Sequence, residues 1–232
     1  MTERGMIFNA EMVRAILDGR KTQTRRIMKV QPESNQLGLL LITDSTKHSD
    51  IGKYHWAESN ATGNHVRSKL FSCPFGAVGD RIWVRETWSS DFANYYPNDR
   101  VWYAADNNRR LDIEVVDGVR GIYSPESDVH VPFRWQPSIH MPRWASRILL
   151  EITDVRVERL NAISEQDARA EGIIDGGCLN CGEPEPCGCA NPEPDATDAF
   201  AYLWQSIYGQ ENWNANPWVW VISFERIEGG AA

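Results

Sequence analysis

Gly19-Arg20-Lys21-Thr22-Gln23-Thr24-Arg25-Arg26 puts a lysine, two threonines and three arginines directly behind a short amphipathic segment. A lysine held beside a hydroxyl and a guanidinium offers two chemistries. If burial lowers its pKa, the amine becomes a base for water or for the hydroxyl, as hydrolysis of an amide requires. The same donors bind a nucleobase. On a fully extended chain the two-residue period puts Thr24 and Arg26 on one face and turns Lys21 away from them. Lys21 and Thr24 therefore converge only if the backbone bends just after Gly19. An exposed basic edge strand, a common guard against aggregation, is the other reading of this stretch.

Two carboxylates are placed unusually. Glu171 ends Ser164-Glu165-Gln166-Asp167-Ala168-Arg169-Ala170-Glu171, in which Ser164 caps a short helix, Asp167 makes a capping-box variant and Gly172 closes the segment. A carboxylate in the last helical turn opposes the helix dipole by a few tenths to about 1 kcal/mol. A cation relieves that cost, and Lys21 is the candidate; a solvated surface glutamate is the alternative. Glu86 continues the apolar face of Ile82 and Val84. It is either paired with Arg26 or Arg85, or it looks into a pocket.

From 134 to 147, Arg134, Trp135, His140, Arg143, Trp144 and Arg147 interleave charge with aromatic rings. A surface that grips phosphate and stacks a base has this composition, and so does a loop whose tryptophans complete a core. Cys178-x-x-Cys181 with Cys187-x-Cys189 brings four thiolates within twelve residues, enough for a tetrahedral structural zinc. The second pair is tighter than usual, and a metal-free loop is the alternative. With four protein ligands such a zinc would have no open position for catalysis. Cys73 reads as a buried free thiol.

These groups need a frame. At 232 residues, with 42% hydrophobic and 24% charged residues, the chain is long enough for one well-buried domain with insertions. No run reaches membrane-span length and no signal layout opens the chain, which predicts a cytoplasmic protein. A net charge of −8 argues against broad phosphate-backbone binding and leaves a local patch or a single nucleoside as the nucleic-acid partner. The ten tryptophans read mainly as core and sheet packing.

Asn9 predicts a helix cap, with Met12, Val13, Ile16 and Leu17 on one face and Gly19 ending the helix. Lys21 to Val30 then reads as a strand, and Asp80–Thr87 as another. Val101–Ala105 and Ile113–Tyr123 suggest a hairpin. Arg147–Leu160 reads as a long strand with a bulge near Asp154. A helix through Phe200, Leu203, Trp204 and Ile207 precedes a closing strand with Trp218, Trp220, Ile222 and Phe224 on one face. The fold class is α+β, built around a barrel.

The pattern Gly-x-Lys-x-x-Thr-x-Arg at residues 19–26 resembles the signature of the ASCH superfamily of PUA-like β-barrels. The chain is similar over nearly its whole length to ASCH proteins encoded by bacteriophages and prophages, through PFGAVGDRIWVRETW (74–88), PFRWQPSIHMPRWASRI (132–148) and NPWVWVISFE (216–225). The resemblance implies one ASCH domain over residues 1–232, with insertions at about 31–75 and 95–130 and a Cys-rich loop at 175–195. It also implies residence in a bacterial host cytoplasm.

A much smaller ASCH branch hydrolyses the acetyl amide of N4-acetylcytidine, using a lysine and a threonine of this motif and a later glutamate. By that resemblance Lys21, Thr24 and Glu171 are the catalytic residues. Arg26, Glu86, Arg143 and Trp144 would then contact a nucleoside or RNA carrying a modified pyrimidine. Two other functions stand beside this one: a noncatalytic binder of RNA or modified nucleic acid, and an ASCH-type nuclease. The sequence shows no carboxylate cluster for the nuclease.

Overall fold

The computed structural model describes residues 1–60, 63–66, 68–90, 101–106, 113–116, 118–124, 129–132, 134–174, 190 and 196–227. Strand β1 (Glu3–Ile7) leads to helix α1 (Ala10–Leu17), which Asn9 starts by accepting the Met12 N–H at 2.8 Å. Such a cap stabilises a helix by about 1 kcal/mol. Val13 and Ile16 are buried in the main core, with Met12 and Leu17 packed against it, as the helical period predicts. Gly19 takes φ +75° and turns the chain out of α1. Strand β2 (Gln23–Ile27) follows and is shorter than the expected 21–30.

The 31–75 segment forms its own antiparallel sheet from β3 (Gly38–Leu41), β4 (Tyr54–Asn60) and β5 (Gly63–Val66). It packs into the main core: Trp56 is buried among the main-core residues, 5.3 Å from the Trp218 ring, and Tyr54 sits edge-on to Trp220.

Next come β6 (Arg81–Arg85), β7 (Trp88–Ser89), β8 (Trp102–Tyr103), β9 (Ile113–Val116), β10 (Val119–Ser124) and β11 (Val129–Pro132). The expected hairpin is rearranged. Residues 102–103 pair back onto β7, and the hairpin is made by β9 and β10 around Gly118, with β11 added to it. The local reason is the positive φ of Gly118, which makes the turn directly before β10.

The chain closes with β12 (Leu149–Arg159), α2 (Glu165–Ala170), α3 (Ala196–Tyr208), α4 (Gln210–Asn214) and β13 (Trp218–Ile227). The main sheet has the order β1-β6-β12-β13-β2, parallel only between β1 and β6. Its β12–β13 register slips between Ile152 and Asp154, where the apolar phase of the sequence changes. The architecture is mixed α+β, rich in sheet, and among the described residues the sheet does not close into a barrel. No helix among them is long and apolar enough to cross a membrane.

Both faces of this sheet are covered. Trp220, Ile222 and Phe224 point into the main core with Val13 and Ile16, whereas Val219 and Val221 join Phe200 and Trp204 of α3 in a second cluster. Among the described residues strand β2 pairs only with β13, yet Gln23, Thr24 and Arg25 are all buried because helices lie on either side. Five tryptophans, Trp56, Trp88, Trp102, Trp204 and Trp220, are buried as core residues, whereas Trp144 is 65% exposed.

Candidate active site

Lys21 is joined to Glu171 across 150 residues of sequence. Its ammonium donates to the Glu171 carboxylate Oε2 at 2.6 Å and to the Glu171 carbonyl oxygen at 2.8 Å. The backbone makes this possible in three steps. Gly19 bends the chain, so the Lys21 N–H returns to the Ala15 carbonyl of α1 at 2.9 Å. The Thr22 N–H then reaches the Ala170 carbonyl at 2.8 Å, and Lys21 and Glu171 face each other in an isolated antiparallel bridge. Lys21 is 2% exposed, and its side chain has no contact with solvent.

Burial holds the Lys21 ammonium below the ordinary lysine range. The Glu171 carboxylate opposes that effect through its charge and its hydrogen bond, and the Arg26 and Arg25 charges reinforce it. A lysine so placed surrenders its proton more readily than a surface lysine, which suits it to act as a base.

A second cation, which the sequence reading assigned no role, completes the cluster. Arg25 is 1% exposed, lies opposite Val221 in β13 and shares that residue's face toward α3, with its guanidinium 5.9 Å from the Phe200 ring. Its guanidinium donates to Asp167 at 3.0 Å, to Glu158 at 3.2 Å and to the Gln23 side-chain oxygen, and lies 3.6 Å from Glu171 Oε1. Asp167 also receives a bidentate contact from Arg156 and an amide proton from Gln23. Burial alone would raise the Asp167 pKa, but those hydrogen bonds and the Arg25 and Arg156 charges hold it below the usual carboxylate range. Only half of the expected capping box forms, because Ser164 accepts the Asp167 N–H while the Asp167 carboxylate is committed to the arginines.

Thr24 lies opposite Ile222 in β13 and shares its face toward the main core. Its hydroxyl is buried and has no hydrogen-bond partner, so no hydrogen bond links it to Lys21. Glu171 Oε1 is likewise buried without a hydrogen bond. Buried polar atoms are nearly always satisfied, so both are exceptions, although Glu171 Oε1 keeps the Arg25 guanidinium 3.6 Å away.

The other expected contact residues are dispersed. Arg26 lies 5.4 Å over the Phe8 ring and donates to the Ile7 carbonyl at 2.9 Å. Glu86 is 1% exposed, but its partner is neither Arg26 nor Arg85. Arg147, two residues before β12, grips it with two hydrogen bonds of 3.0 and 3.1 Å and also reaches Asp106 at 2.6 Å. Burial pushes the Glu86 carboxyl up, Arg147 opposes, and the Asp106 charge adds to the rise. Arg143 pairs with Glu3 at 3.0 Å, and Trp144 meets Trp88 edge-on. Cys73 is a half-buried free thiol, raised by desolvation.

Glu171 also lines a cavity of about 470 Å³ between α1 and α3, floored by Met12, Ala15, Ile173 and Leu203 with Arg14 and Arg20 in its wall. Lys21 and Thr24 do not reach that wall, so Glu171 is the group of the pair that a molecule in the cavity would meet first. Cys178, Cys181, Cys187 and Cys189 lie outside the described residues, among which no group of three or more His, Cys, Asp and Glu side chains is arranged to hold a metal. Comparison with protein-family profiles, curated proteins and solved structures gave no match.

Proposed function

We propose that this chain is an ASCH-type amidohydrolase that removes an acyl group from a modified pyrimidine nucleoside or base, with N4-acetylcytidine as the model substrate. Its five-stranded sheet is then the scaffold of a PUA-like fold enlarged by the 31–75 sheet. The observation that carries the reading is the buried Lys21–Glu171 pair, 2.6 Å apart, with its glutamate at a cavity wall.

Amide hydrolysis needs a base for the nucleophile, stabilisation of the oxyanion and a proton for the leaving amine. Neutral Lys21 supplies the base. The oxygen of water bonds to the acyl carbon and its proton passes to Lys21; in a covalent variant Thr24 attacks first, and water then cleaves the acyl ester on Thr24 to free the carboxylate. The C–N bond to the exocyclic nitrogen breaks, and the proton reaches that nitrogen through Glu171, releasing the carboxylate and the free pyrimidine amine. Arg26 is the guanidinium available to orient the base. The test is cytidine release from N4-acetylcytidine, followed by chromatography, with Lys21→Ala, Thr24→Ala and Glu171→Ala alongside. Wild-type turnover lost in Lys21→Ala and Glu171→Ala is expected; turnover that survives all three removes the mechanism.

A binding module is the second reading, and the exposed Trp144 ring favours it. It predicts salt-dependent RNA affinity that falls in Trp144→Ala. Arg143 and Arg147 test it less cleanly, since both already serve intramolecular ion pairs.

A further inference from the structure

Arg25 and Lys21 hold one carboxylate between them. Lys21 takes Glu171 Oε2 at 2.6 Å, while the Arg25 guanidinium stands 3.6 Å from Oε1. We propose that Arg25 is the positioning residue of the Lys21–Glu171 pair: it divides the Glu171 charge with Lys21 and is anchored for that purpose by Asp167, Glu158 and Gln23. This rests on the reading of Lys21 as a base, but its test does not require turnover.

The surroundings are charged in balance. Lys21, Arg25 and Arg156 meet Glu171, Asp167 and Glu158, with Asp154 touching Arg156 from the solvent side. Arg26 adds positive charge from the same strand as Arg25. On α1, Lys21 meets the Ala15 carbonyl, whereas Arg14 is turned to Ala105 and Asp18 to Arg20. Among the described residues Arg25 is therefore the second cation at the carboxylate Lys21 uses. In a buried, weakly screened cluster its removal leaves a net negative charge, and the whole of Glu171 then stabilises the Lys21 ammonium. Removing Asp167 does the reverse, since Arg25 loses a competitor for its charge.

The chain has five lysines, Lys21, Lys29, Lys47, Lys53 and Lys69. Labelling lysine Cε with ¹³C in the full-length protein lets each be titrated by NMR, with Lys21→Met giving the assignment. In wild type the Lys21 midpoint is expected below those of the other four. In Arg25→Gln it is expected to rise by about one pH unit, a tenfold change in proton affinity. In Asp167→Asn it is expected to fall.

The opposite signs separate positioning from simple loosening, because water entering a loosened site would raise the midpoint in both variants. An unchanged midpoint in Arg25→Gln, or a rise in Asp167→Asn, overturns the proposal. If Arg25→Gln does not fold, the sign of the Asp167→Asn shift decides alone. Absence of N4-acetylcytidine turnover would remove the proposed reaction and leave these titrations standing.

Discussion

Gly172 lies so close to Lys21 that a methyl group at 172 would stand 3.0 Å from the Lys21 Cβ and 2.9 Å from the Ala15 Cβ. Its φ of +89° is a conformation that side chains with a Cβ rarely adopt. Gly172→Ala meets both penalties, about 1–2 kcal/mol for the backbone and about 1–3 kcal/mol for overpacking. A loss of about 2–5 kcal/mol is expected in urea unfolding, with m unchanged. A loss under about 0.5 kcal/mol, within the range of ordinary surface substitutions, would show that α1 and Lys21 can move apart there.

Breaking the buried pair from one side leaves the other charge stranded. Lys21→Met and Glu171→Gln are each expected to cost about 3–5 kcal/mol of stability. The double variant should cost less than the sum by about 0.5–3 kcal/mol, the range of directly coupled residues. Chemical denaturation of the four proteins gives the cycle, and additivity would mean that the 2.6 Å contact carries no coupling.

Asp167 sets an acid limit. Its folded pKa lies below the unfolded value of 3.8, so the unfolded chain binds the proton more tightly. Its contribution is complete above the unfolded pKa and is lost as pH falls through the folded one. Asp167→Asn should therefore lower stability at neutral pH and flatten the decline below pH 3.8. Unfolding curves collected across the acid range check this, and parallel declines in both proteins would contradict it.

The four clustered cysteines predict about one zinc per chain in protein purified without chelator, since four thiolates satisfy one tetrahedral ion. Cys178→Ser/Cys181→Ser should lose the metal, and chelation should lower the melting temperature of the wild type. Elemental analysis showing no zinc removes the proposal.

Much of the site was written in local patterns. The Asn9 cap, the apolar face of α1 and the turn at Gly19 follow from short-range rules, and Glu171 was noticeable because it sits against its own helix dipole. Arg25 was not noticeable in that way. The two-residue period does put it opposite Thr24, but an arginine facing away from a motif normally meets water. Its burial follows from α3 covering that face of β2, a contact between residues far apart in sequence. The partner of Glu86 was missed for a related reason: Arg147 reaches it from two residues before the neighbouring strand β12, while sequence proximity favoured Arg85. The hairpin at 101–123 misled because two residues of β8 carry too little pattern to choose between partners.

Among the described residues strand β2 has its only sheet partner in β13, at residues 218–227. During synthesis the lysine motif leaves the ribosome well before residues 218–227 and waits, with its strand unpaired, until they emerge. The pairing joins residues as far apart as Gln23 and Ser223 and has a high loop-closure cost, so it belongs among the late events of folding. A nascent chain stalled before residue 218 would carry the whole motif and lack the strand that places it.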